Sequence, residues 1–233
     1  MNEIILSPSE LDYKPKKCPR CFYLHKNKKI AAGDFPPPVF SSFDVAQKNY
    51  FKSKNCKDLT NELPDGYFMS KNEIPGKIVS EGLNDNKNRK FKLQGIPDIV
   101  IKFKEKAYGI IDFKTTSLSI TKSQNYKYQL EAYAQIFTNP GKTKSTITPK
   151  LNPITHMGIL QFYPNSIEKH RVGECTLKMK TMYSPLIRNE KDFFAHITNI
   201  IDLLERPNPP DFTKNCNFCN FVQKQKELEN ILI

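Results

Sequence analysis

The chain has no apolar run near the ~20 residues that a membrane-spanning helix needs. Its first ten residues, Met1 to Glu10, include Glu3 and no basic start ahead of a long apolar stretch, so they do not read as a secretory signal. The expectation is a cytoplasmic protein without a membrane partner, in a compartment where lasting disulfides are uncommon. Repeats are absent, and nothing is more biased than a general richness in Lys and Asn. Tryptophan is missing and hydrophobic residues reach only 38%, below an average globular domain. Sixteen Phe and ten Tyr nevertheless supply bulk for one substantial core in 233 residues. The scarcer charge is the negative one: 24 Asp and Glu against 36 Lys and Arg leave a formal net charge of +12. A basic surface draws in polyanions and makes nucleic acid the leading partner class, although charge alone also serves solubility.

What is present reads as helices around a β-rich middle. Ser7-Pro8-Ser9-Glu10 has the residues of a helix start, with Ser7 to cap, Pro8 at the first position and Glu10 placed to reach back. That short helix would run through Leu11-Asp12-Tyr13 until Pro15 stops it. Beyond Pro36-Pro37-Pro38, the recurrence of Phe40, Phe43, Ala46 or Gln47, and Tyr50 predicts a helix over about 39–54. Strands are predicted at Lys77–Leu83, Phe91–Gln94, Ile96–Phe103 and Ala107–Lys114. Tyr126, Leu130, Tyr133 and Phe137 mark one face of a following helix. Two more strands, Ile154–Tyr163 and about 169–181, precede a helix through Phe193 and Leu204. The order implies an α/β or α+β domain with helices flanking one mixed sheet, a single unit over 1–233.

Ile110-Ile111-Asp112-Phe113-Lys114 sets two charges into an apolar strand, two residues apart and so on one side. Burying such groups is costly unless they are paired or hold a metal. If the preceding hairpin turns about Glu105, Asp98 falls opposite Asp112, and two carboxylates and a lysine converge. Like charges so close need a cation between them. Mg²⁺ (or Mn²⁺) suits one or two carboxylates and leaves room for phosphate oxygens, while Lys114 is placed to stabilise charge on the phosphate. The alternative is a structural salt bridge between Lys114 and one Asp. At the chain ends, Cys18-x-x-Cys21 and Cys216-x-x-Cys219 are two metal-knuckle spacings. Together they predict a four-thiolate structural site for Zn²⁺ or a 4Fe–4S cluster, joining substructures 7–30 and 207–221. Cys56 and Cys175 read as ordinary thiols. His25, His156, His170 and His196 are scattered without ligand spacing.

Pro97-Asp98, thirteen residues, then Asp112-Phe113-Lys114 resembles the signature of the PD-(D/E)XK nucleases, and Gln129-Leu130-Glu131-Ala132-Tyr133 resembles the Gln-x-x-x-Tyr motif of RecB-type domains. Relatives of that type include the AddB carboxy-terminal domain and CRISPR-associated nucleases. The resemblance implies a restriction-endonuclease-like core, Gln129 and Tyr133 bordering the active site, and hydrolysis of DNA phosphodiesters at single strands or ends. It further implies a setting in repair, recombination or defence, with a helicase or other nuclease-complex subunits as partners. Many such domains carry another metal ligand on an earlier helix, for which Asp44 is the candidate and Glu81 a weaker one. Relatives with a cysteine clamp usually place one cysteine before the core and three after it, around an iron–sulfur cluster. The two-plus-two arrangement here departs from that pattern. The rival expectations are a non-catalytic DNA-binding or scaffold subunit and an RNA-directed nuclease.

Overall fold

The computed structural model describes residues 3–12, 14–30, 37–51, 54–116 and 123–231. Its larger sheet has the order β2-β6-β7-β8-β9, formed by Gly66–Phe68, Ile99–Phe103, Tyr108–Thr115, Ile154–Arg171 and Glu174–Leu186. Strand β7 is antiparallel to β6 and parallel to β8, so the sheet is mixed. In a smaller sheet β5 (Lys90–Gly95) pairs in parallel with β1 (Ile4–Leu6) on one edge. On its other edge lie β3 (Ile78–Val79) and β4 (Leu83–Asn84), both antiparallel. Helices flank these sheets: α1 (Pro8–Leu11), α2 (Lys14–Lys17), α3 (Pro19–Lys28), α4 (Pro38–Phe51), α5 (Lys127–Thr138), α6 (Glu190–Leu204) and α7 (Asn217–Ile231). The fold is the mixed α+β, restriction-endonuclease-like arrangement expected. Among the described residues no helix is long and apolar enough to cross a membrane.

Two-residue alternation along β7 divides the core. Ile110 joins the larger cluster with Leu130, Ile136 and Phe137 of α5, Met157 and Ile159 of β8, and Phe193 and Ile197 of α6. Ile111 and Phe113 face the other way, into a cluster with Phe51 of α4, Ile101, Phe103, Leu160 and Phe162. Each fully buried side chain of this size contributes about 1.5–3 kcal/mol relative to exposure. Helix α5 is buried at every position from Tyr128 to Phe137, and its polar residues are satisfied individually. Glu131 accepts from Arg188 at 2.8 Å and from the Asn189 backbone at 3.1 Å, which ties α5 to the start of α6.

Several predicted boundaries move. Pro15 does not end the first helix but sits in the opening turn of α2, where a missing N–H is tolerated; Tyr13 lies outside the described residues. The strand expected over Lys77–Leu83 splits into β3 and β4, because Ser80 turns its hydroxyl to accept the Leu93 N–H at 2.9 Å. The helix expected over 39–54 is present over Pro38–Phe51, and residues 52 and 53 lie outside the described residues. The strands expected at Ile154–Tyr163 and 169–181 are one long hairpin, whose polar outer half shows no apolar alternation to mark its length. The short strands β1 and β2 and helix α7 had no counterpart in the periodicity.

Candidate active site and cysteine cluster

The β6–β7 turn is centred as the spacing predicts: Ile99 pairs with Ile111 and Val100 with Ile110. Asp98 precedes β6 at the same register, and its Oδ2 accepts the Phe113 backbone N–H at 2.8 Å. Its other oxygen lies 2.7 Å from the ammonium of Lys48. Asp112 is only 3% exposed. Its Oδ1 accepts from the Gln129 amide at 2.6 Å, and its Oδ2 forms an ion pair with Lys114. That Oδ2 is buried and makes no hydrogen bond of acceptable geometry. With the Lys114 ammonium against it, this oxygen keeps lone pairs that a metal ion would take up.

The elements that set this geometry come from both sheets. Between β5 and β6 the chain bends at Gly95-Ile96-Pro97, and Tyr133 donates its hydroxyl to the Ile96 carbonyl at 2.7 Å. A side chain at Gly95 would meet Pro8 at 2.9 Å and the Tyr133 ring at 3.0 Å, so the bend needs glycine for its close approach. Helix α5 is oriented from its N-terminus: buried Asp12 accepts from the Tyr128 and Gln129 N–H groups at 3.3 and 2.7 Å. Beneath Lys114, the Tyr126 ring lies 4.8 Å from the ammonium, a cation–π contact.

These contacts shift the acid–base behaviour. Burial raises the Asp112 carboxyl to about 7; Lys114 opposes the rise and the adjacent Asp98 adds to it. Burial pulls on Lys114 in the direction of losing its proton, yet Asp112 and Asp98 outweigh it and hold the ammonium above its ordinary value. Lys48 is likewise raised, its desolvation outweighed by Asp98 and Asp44. Burial pushes Asp12 up to about 6 against the pull of its two backbone donors.

The cleft is about 510 Å³, and Asp44, Asp98, Asp112, Lys114, Gln129 and Tyr133 all line it. Asp44 is tied to Asp98 through Lys48, which reaches it at 2.9 Å. Glu81 is exposed and is not among the lining residues. His196 hydrogen-bonds the Leu11 carbonyl at 2.8 Å and stacks on Tyr128. Sequence reasoning missed Lys48, although its place four residues after Asp44 on one helix face was a legible signal. It also missed Asp12, whose partners come from a helix more than 100 residues away, and Lys77, which lines the cleft.

Cys18, Cys21, Cys216 and Cys219 meet with all four sulfurs within 4.8 Å of one another. Cys21 lies 3.4 Å from Cys219 and 3.6 Å from Cys216, and Cys18 lies 3.8 Å from Cys219. A tetrahedral ion with thiolate bonds of about 2.3 Å sets its ligands about 3.8 Å apart, so the donor set fits one ion. Burial raises the Cys18 thiol, but backbone donors at Cys21 and Thr213 and the neighbouring thiols bring it down to about 7. Burial, with Cys216 and Cys18, drives Cys219 up to about 11 against the opposing pull of Cys21, and burial with the surrounding thiols drives Cys21 higher still. Cys56 donates to the Pro64 carbonyl and Cys175 is exposed; neither joins the cluster.

Residues 58–223, more than half of the chain, match the family described as PD-(D/E)XK nuclease superfamily. Among solved structures, "Crystal structure of SSO0001" is similar at 16% identity with a TM-score of 0.54, covering 96% of this chain and 86% of that one. That likeness speaks to the fold. No curated protein matches the sequence.

Proposed function

Because the chain belongs to the PD-(D/E)XK nuclease superfamily, we propose that the cleft hydrolyses DNA phosphodiester bonds with Mg²⁺ or Mn²⁺. The observation that carries this reading is the convergence of Asp98, Asp112 and Lys114, with the buried Oδ2 of Asp112 facing the Lys114 ammonium and lacking a hydrogen bond of good geometry. Asp98 and Asp112 would hold the ion, with Asp44 as the third carboxylate in reach of the same cleft. Such an ion polarises the phosphodiester and acidifies water beside it. Gln129 fixes one oxygen of Asp112 and leaves the other facing Lys114. Lys114, kept charged over Tyr126, is placed to stabilise negative charge developing on the phosphate. Tyr133 holds the bend that aims Asp98. Lys48 neutralises Asp44 and Asp98 without the ion and would yield to it.

For the cysteine cluster we propose one tetrahedral ion, with Zn²⁺ as the occupant. The sulfur separations support it, since a 4Fe–4S cube must stand between its thiolates and spreads them wider than a single ion does. Protein purified anaerobically and found colourless with one zinc per chain supports this reading; broad absorbance near ~400 nm with four irons overturns it.

The test of the nuclease is incubation with labelled single- and double-stranded DNA, and with RNA, in the presence and absence of Mn²⁺, beside Asp112→Asn. Metal-dependent DNA cutting lost in the variant supports the assignment. Cutting of RNA alone would transfer it to an RNA-directed nuclease, and binding without cutting by folded protein would leave a DNA-binding subunit.

A further inference from the structure

The long hairpin β8–β9 is more than a sheet edge. Strand β7 makes its last pairings with β8 at Thr115 and Phe162, with Thr116 N–H to the Phe162 carbonyl at 3.0 Å. Strand β8 continues to Arg171 and returns as β9. From Pro164 to Thr181 almost every residue is exposed, apart from half-buried Leu177 and Met179. At about 3.3 Å per residue the arm reaches between about 25 and 30 Å past that point. Because β7 and β8 are parallel, it leaves the sheet from the end where Asp112 and Lys114 stand.

Register fixes which side chains share the catalytic face. Lys114 pairs with Gln161, and Gln161 with Met182; the Gln161 amide meets Ser184 on the same side. Counting by two from Met182 along β9 brings Lys180, then Lys178, onto that face. Strand β8 has an irregularity between Pro164 and Ser166 while β9 runs on unbroken; beyond it Lys178 bridges to Glu168 across the ribbon at 2.5 Å and Thr176 meets His170 at 2.6 Å, so these side chains share one face of the arm. Lys180 lies two strands over and two residues beyond Lys114, which strand geometry converts to about 12 Å. Between Tyr163 and Met182 there are four Lys or Arg and two Glu. Both acids are engaged, by Lys178 and Arg171, whereas Lys180 and Lys169 have no partner among the described residues. Exposed Lys77 also lines the cleft.

We propose that the β8–β9 arm is a docking surface for the nucleic-acid backbone, guiding the strand away from the scissile phosphate past Lys180 and Lys178. It rests on the nuclease reading of the cleft for what lies at its base. The path runs from Lys114 across β8 to the arm on β9. A second copy of the chain pairing along the β9 edge is disfavoured, because lysines on an exposed edge oppose strand addition. The chemistry asked of the ligand is regularly spaced negative charge without base reading, so affinity follows phosphate count and salt.

The experiment compares full-length protein with Lys178→Ala/Lys180→Ala and, as a charge-matched control, Lys142→Ala/Lys144→Ala. Binding of a fluorescent ~30-nucleotide strand is measured by anisotropy with Ca²⁺ across a salt series, and cleavage separately with Mn²⁺. The arm variant is expected to bind about 10-fold more weakly, with a salt slope shallower by about 1.4 for two phosphate contacts on a single strand. Its rate at saturating DNA stays near wild type, and so does its cleavage of a dinucleotide too short to reach the arm. Unchanged affinity and slope, or equal losses in the control, overturn the arm while leaving the nuclease standing. So does a wild-type protein that binds no strand, or an arm variant altered only in oligomeric state by sedimentation. The expected binding loss in a protein that never cuts would uphold the arm and sink the nuclease.

Discussion

In the cleft, each carboxylate already has a protein cation against it: Lys48 lies between Asp44 and Asp98, and Lys114 lies against Asp112. The four cysteine sulfurs instead meet one another and backbone donors. The first group sets two lysines against three carboxylates, whereas among the described residues the second has no cation against it. The acids and lysines of the cleft come from one stretch of chain, from Asp44 to Lys114, beside strands that the core holds in register, with Ser7 and Ser9 completing the lining. The cluster joins residues about 195–201 positions apart and belongs to a small core of its own with Phe212. One metal site is therefore expected to be exchangeable and to matter for chemistry, the other to be retained and to matter for folding.

The largest effect should come from the cluster. Cys216→Ser is expected to destabilise the chain by several kcal/mol, on the order of 10 °C in Tm, while exposed Cys175→Ser changes nothing measurable by calorimetry. Withholding Mg²⁺ should abolish cutting and leave Tm in place; a thiol-competing chelator should lower Tm. If Mg²⁺ removal unfolds the protein and thiol chelation does not, the contrast between the sites is reversed.

Asp112→Asn comes next, with cleavage reduced on the order of 10³-fold. Its stability also falls, because Lys114 loses its buried partner. The pH dependence sharpens the point. A carboxyl raised from 3.8 to about 7 binds more protons in the folded than in the unfolded state between those values. Asp112 therefore makes the metal-free protein lose stability as pH rises through that window. Asp12, raised to about 6, acts in the same direction. His196, lowered by burial, acts in the opposite one. The difference between wild type and Asp112→Asn isolates one group: the variant's Tm should fall less between pH 5 and pH 7 (roughly the upper half of the window). Equal slopes would show that Asp112 is not held in the protonated form when the metal is absent.

How these sites were legible differs for a physical reason. Strand alternation and a two-residue offset put Asp112 and Lys114 on one face, and a turn at Glu105 set Asp98 opposite, all local rules that the pairings obey. Cysteine spacing made the cluster readable across nearly the full chain, because thiolate ligands come in characteristic pairs. Asp12 carries no such mark. It is an acid in a short helical segment until folding brings it to the first turn of α5. Lys48 was hidden in plain view, since a lysine four residues after an acid usually denotes a solvated helix face. The arm escaped because polar exposed strands have no buried face to impose a period.

Gln129→Ala tests whether the charge balance of the cleft depends on its neutral partners. Losing the 2.6 Å bond to Asp112 should cost about 10–100-fold in metal affinity or activity, seen as a shift of the Mg²⁺ titration to higher concentration. An unchanged titration with a lowered maximal rate would move Gln129 from holding Asp112 to touching substrate.

The smallest effect belongs to Tyr133→Phe, which removes one hydroxyl and retains the ring packed on Gly95. The lost hydrogen bond to the Ile96 carbonyl should cost about 1 kcal/mol, or roughly 2–4 °C in Tm. Asp98 keeps its bonds to Phe113 and Lys48, so the bend loosens without being released. Cleavage should then fall only several-fold, with the Mg²⁺ titration nearly unmoved. A loss as large as that of Gln129→Ala would mean that the hydroxyl acts on the reacting groups directly. Burial, followed by the charges of Asp112 and Asp98, already holds the phenol well above its ordinary pKa. It would therefore act as a hydrogen-bond donor that stays protonated throughout the working pH range.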